Sequence, residues 1–91
     1  MPGVTTLPSG AADLPGSGAT MRRVVIKAGH VAARHHHDHE QFLFVAEGGG
    51  RLECEAGAIA LTPGVGLRLE AGAWHSAEFS ATVLIEINLA S

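Results

Sequence analysis

The sequence predicts an all-β domain, a sandwich or barrel of about eight short antiparallel strands with little or no helix. Three observations carry this expectation. Short apolar runs recur from Met21 onward, separated by breaks that contain Gly or Pro. Several of these runs alternate strictly between apolar and polar residues, the period of a strand buried on one face. No stretch shows a 3.6-residue apolar period bracketed by capping residues, so helix has no sequence support.

Residues 1–20 are rich in Gly, Pro, Ser, Thr and Ala and hold one charge, Asp13. Pro2, Pro8 and Pro15 interrupt regular pairing there. This segment reads as a flexible N-terminal tail, able to add an edge strand at most, and residues 21–91 as the folded domain. The first run holds Val24, Val25 and Ile26 and closes at Ala28-Gly29. A second ends in His35 and His37. Gln41 to Ala46 form a third, closed by Gly48-Gly49-Gly50. That triple glycine is a tight turn rather than a phosphate loop, because neither a Lys nor a helix start follows it. Arg51 to Glu55 alternate, with Leu52 and Cys54 on one face. Ala58 to Leu61 end at Thr62-Pro63-Gly64, and Val65 to Leu69 alternate again. The last runs flank His75 and fill Thr82 to Asn88, where Val83, Ile85 and Ile87 share a face.

Composition narrows the function. The chain has 91 residues, of which 46% are hydrophobic and 16% charged, values of a single globular domain. A core drawn from roughly 70 residues is marginal alone, so a bound metal, a dimer interface or both would add needed stability. Net charge is −3 with no basic stripe, which argues against a nucleic-acid partner. One cysteine, Cys54, excludes an internal disulfide and suits a reducing compartment. No apolar run approaches the roughly 20 residues of a membrane span, and no basic-then-apolar secretory leader is visible. The expected setting is the cytoplasm, away from membranes.

The chemistry concentrates in His35-His36-His37-Asp38-His39-Glu40-Gln41. In a strand, residues two apart point the same way, so His35 and His37 share a face. Gln41 has the same parity, unless a bend near Asp38 breaks the count. Two imidazoles and an amide oxygen would then converge, and His75, beside Trp74 and after Glu70-Ala71-Gly72, supplies a fourth group from another strand. Neutral imidazole suits Fe, Mn, Ni, Zn, Cu or Co. Three His and one Gln leave the charge of a divalent transition metal uncompensated, which favours an anionic further ligand. The competing reading of the histidine run is a solvated turn, or a surface run that binds metal adventitiously.

The spacing of these residues resembles that of the cupin family. Gly29, five residues, His35-His36-His37, three residues, Gln41, six residues and Gly48 match the family's first motif. Gly64, five residues, Glu70-Ala71-Gly72, two residues and His75 match the second. The likeness spans about Met21 to Leu89. It implies a conical jelly-roll barrel of six to eight strands, with a metal in its mouth held by His35, His37, Gln41 and His75. The chain departs from the pattern at Gln41, where Glu is usual, at Glu70 in place of Pro, and at Phe79 in place of Asn.

The resemblance implies a metal-dependent enzyme, an isomerase, lyase or oxygenase, acting on a small polar or anionic molecule. The neutral Gln41 leans toward non-redox chemistry. No general base is evident; Glu40 and His39 are the nearest candidates. The alternatives are a non-catalytic module that binds a sugar or another small molecule, and a cupin whose metal site has decayed. His36 and His39 are expected to be exposed or behind the ligands. Trp74 is expected to pack, and Cys54 to be buried and inert. Phe42 and Phe44 lie opposite Gln41 in parity, so they face out of the barrel and suggest a homodimer.

Overall fold

Period-two alternation becomes strand almost everywhere it occurs. The computed structural model describes residues 3–90. Nine strands follow one another: β1 (Asp13–Pro15), β2 (Ala19–Ile26), β3 (Val31–His35), β4 (Gln41–Glu47), β5 (Gly50–Cys54), β6 (Gly57–Leu61), β7 (Gly66–Leu69), β8 (His75–Phe79) and β9 (Thr82–Leu89). Among the described residues there is no helix, and so none long and apolar enough to cross a membrane. The strands form a five-stranded sheet, β1-β2-β9-β4-β7, and a four-stranded sheet, β3-β8-β5-β6. Every pairing is antiparallel. This is the all-β jelly roll that the sequence predicts, with nine strands against the expected eight or so. Pairing begins inside residues 1–20, since β1 lies on β2 with Asp13 opposite Arg22. Residues 1 and 2 of the expected tail lie outside the described residues.

The core lies between the sheets and is built from Val45, Leu52, Leu61, Ala77 and Leu84. Leu52 and Val45 are its most fully buried side chains. Truncating Leu52 to Ala removes packed methyl groups and costs about 2–5 kcal/mol. In β4 the alternation runs from Gln41 to Ala46: Gln41, Leu43 and Val45 are buried, while Phe42, Phe44 and Ala46 are exposed.

β9 reverses a simple reading of its apolar residues. Val83, Ile85 and Ile87 do share a face, but it is the outer one. Thr82 and Leu84 are buried, and Glu86 and Asn88 continue their side of the strand. The register is the cause: Glu86 lies opposite Leu43 and Asn88 opposite Gln41, and directly paired residues project to the same side. One polar pair therefore enters the interior at the end where β4 begins.

The triple glycine is required by close backbone approach. A Cβ on Gly48, Gly49 or Gly50 would lie 2.0 Å from the carbonyl oxygen of Ala81, Leu61 or Glu78, respectively. The buried Thr82 hydroxyl locks this crossing, accepting from the Gly49 N–H (3.0 Å) and donating to the Ser80 carbonyl (2.7 Å).

Candidate metal centre

Three of the four expected ligands meet as histidines. The imidazoles of His35, His37 and His75 each offer a nitrogen, and these nitrogens lie within 4.8 Å of one another. Ring centroids are 4.2 Å apart for His35 and His75, 5.0 Å for His35 and His37, and 5.6 Å for His37 and His75. His35 closes β3 and lies directly opposite His75, which opens β8. That register explains why a residue forty positions away in sequence completes the group. His37 arrives differently from the expectation. β3 ends at His35 after an irregularity between Ala32 and His35, so His37 sits in the connection to β4 and not on the strand. The Gly72 N–H donates to its carbonyl at 2.7 Å and ties that connection to the loop before β8.

Two contacts orient the rings. His35 Nδ1 is 2.7 Å from the Ala33 carbonyl, and His75 Nδ1 is 3.3 Å from that of Ala73. A carbonyl only accepts, so each Nδ1 donates, and in the neutral ring this leaves Nε2 as the nitrogen with a lone pair for a metal. Burial lowers the pKa of His75, and the neighbouring His35 and His37 lower it further against the opposing pull of Ala73. Burial also lowers that of His37, helped by His35 and His39 and opposed by Glu86 and Asp38. Neutral imidazole is the metal-binding form, so the donor set fits a divalent transition metal.

Gln41, the fourth expected ligand, is buried at the start of β4. Its Nε2 donates to Asn88 Oδ1 at 2.8 Å, and His39 Nε2 reaches the same oxygen at 3.2 Å. Asn88 Nδ2 lies 3.5 Å from Glu86 Oε1, a long contact. A carboxylate accepts and cannot donate, so Asn88 presents its nitrogen to Glu86 and its oxygen to Gln41. The Gln41 amide nitrogen is thereby committed, and its oxygen is the atom left for another partner.

The two nearest base candidates are engaged elsewhere. Glu40 accepts from Arg68 Nε at 2.5 Å, which turns it away from the histidines. His39 is held by Asn88. Glu86 and Asn88 are the interior polar residues that sequence reasoning missed. The signal was their parity with Thr82 and Leu84, masked by the stronger apolar parity of Val83, Ile85 and Ile87. Cys54 is half-buried rather than buried, with its Sγ 3.4 Å from the Gly57 carbonyl. Trp74 carries the Arg34 guanidinium 4.1 Å from its ring centroid.

Comparison with known proteins agrees with the fold. Residues 22–84 match the family model described as "Cupin domain". No curated protein sequence matches the chain. Solved structures share its fold at low identity. A candidate mannose-6-phosphate isomerase from Ralstonia eutropha JMP134 is 19% identical with a TM-score of 0.78, covering 99% of this chain and 100% of its own. The lyase DddQ from Ruegeria pomeroyi DSS-3, which acts on DMSP, is 18% identical with a TM-score of 0.76, over 84% of this chain and 40% of its own. Ectoine synthase from P. lautus is 22% identical with a TM-score of 0.73, over 80% of this chain and 54% of its own.

Proposed function

The chain belongs to the cupin domain family, and on that premise we propose that it is a metal-dependent enzyme acting on a small polar or anionic molecule. His35, His37, Gln41 and His75 would hold one divalent transition metal. The observation that carries this reading is the convergence of three imidazole nitrogens, two of them with Nδ1 capped by backbone carbonyls. When bound, the metal would supply a Lewis acid for an oxygen of the substrate.

The protein's own groups do the rest. Asn88 takes up the Gln41 amide nitrogen, so that its oxygen would be the atom offered to the metal. Glu86 is the interior carboxylate able to accept a proton beside them, since Glu40 is tied to Arg68. The uncharged ligand set favours isomerase or lyase chemistry over oxygenase chemistry. Fold neighbours named for isomerase, synthase and lyase activities support the same leaning. The lone Cys54 supports a reducing, cytoplasmic setting.

The exposed apolar outer face of the five-stranded sheet supports a homodimer. Substituting His75→Ala tests the centre. Metal stabilises only the folded state that binds it, so added metal is expected to raise the melting temperature of the parent and not of the variant. Equal shifts in both proteins would remove His75 from the ligand set. A metal that binds but leaves no position open to small anions would favour the non-catalytic binding module.

A further inference from the structure

A cavity of about 350 Å³ opens where the two sheet edges, β6 and β7, face each other. Its walls are Leu52, Cys54, Ile59, Leu67, Leu69 and Trp74. The charged residues along it, Glu55, Arg68 and Glu70, are exposed, and Arg68 and Glu70 pair with each other at 3.2 Å. The cavity adjoins the histidines by register. Cys54 lies opposite His75, Leu69 lies opposite Gln41, and Trp74 immediately precedes His75. Directly paired side chains sit roughly 4.5–5.5 Å apart at Cβ. A polar centre and an apolar slot therefore share one wall on each sheet. A wholly polar small molecule held at the histidines would leave that wall facing water. A molecule with a hydrocarbon arm would cover it.

We propose that the ligand of this protein is amphiphilic. Its oxygen-bearing end sits at the histidines, and a short aliphatic or aromatic arm occupies the slot between β5, β6 and β7. The position of the polar end rests on the metal reading above; the slot itself does not. This narrows the substrate class from small polar molecules to those with an unbranched or flat apolar group beside the reacting end.

The test uses two probes. With the cobalt-loaded protein, n-alkyl hydroxamates from acetyl to octanoyl are titrated calorimetrically. Affinity is expected to rise about fourfold for each added methylene until the slot is full, the gain for burying a CH₂ group. Ile59→Phe, which fills one wall, is expected to flatten the series. Leu67→Phe on the opposite wall serves if that variant does not fold. With the metal-free protein, n-hexanol is expected to shift the indole N–H resonance of Trp74, the only Trp, while ethanol at equal concentration leaves it in place. A series without chain-length dependence, or one as steep in the filled variants as in the parent, overturns the slot. So does a silent Trp74. A responding Trp74 in a protein that binds no hydroxamate at all leaves the slot standing and removes the metal reading instead.

Discussion

At the scale of single residues, the proposed centre depends on the orientation of one amide. Gln41 is buried and its nitrogen is bonded to Asn88. The orientation of Asn88 is in turn set by Glu86, which can only accept. Removing a partner that orients a ligand typically costs 10–100-fold in metal affinity. Asn88→Ala is expected to weaken cobalt or zinc binding by about that factor, measured by calorimetric titration, with little further loss when combined with Gln41→Ala. Additive losses would mean that Asn88 acts elsewhere. The histidines predict a pH dependence. Burial and mutual repulsion hold the pKa of His37 and His75 below the ordinary value of 6.5. Between the folded and the unfolded pKa the unfolded chain binds more protons, so folding stability rises with pH through that window. The metal-free protein is expected to hold this contribution fully above about pH 6.5 and to lose it as pH falls through the lowered pKa values. Thermal melts from about pH 7.5 to 5 check this. A melting temperature that is flat or rises on acidification contradicts the assignment of neutral, crowded imidazoles.

At the scale of elements, the triple glycine and β9 behave differently as evidence. Gly48-Gly49-Gly50 is legible as a turn from composition, but the reason for three glycines is not local. Each faces a carbonyl on a different neighbouring segment at a distance no Cβ tolerates. Gly49→Ala, at φ 151°, would drive a methyl group into Leu61. It is expected to cost at least about 2 kcal/mol, read by chemical denaturation; a loss within about 0.5 kcal/mol would show that the crossing relaxes freely. Strand type could be read in advance, and motif spacing singled out His75 as a group from another strand, but its register opposite His35 could not. The side of β9 could not. Val83, Ile85 and Ile87 look like a core face until the register with β4 puts Glu86 and Asn88 inside. His37 reaches the group by a route that strand parity does not describe, since the chain leaves β3 at His35 and the loop returns the ring to within 5.0 Å of that of His35.

At the scale of the whole molecule, the two outer faces are unlike. The four-stranded sheet presents Arg51, Glu53, Ser76 and Glu78. The five-stranded sheet presents an apolar field in which Phe42 meets Ile87, Phe44 meets Ile85, and Met21 meets Ile87, bordered by Arg23 opposite Ile85 and Arg68 opposite Phe42. Phe42 is 39% exposed, Phe44 47% and Val25 75%. Burying this field against a second copy would relieve the marginal core of a small domain. Phe44→Lys is expected to convert a dimer to a monomer in sedimentation velocity, with little change in monomer stability because the ring is already exposed. A parent that sediments as a monomer at micromolar concentration removes the dimer.

The central claim is the metal, and its most direct test is metal content by mass spectrometry. Untagged protein, purified without chelators or added metal, is measured beside His35→Ala. Near one equivalent of a single transition metal is expected in the parent, and its loss in the variant. A parent that carries no metal and takes up none on titration would contradict it.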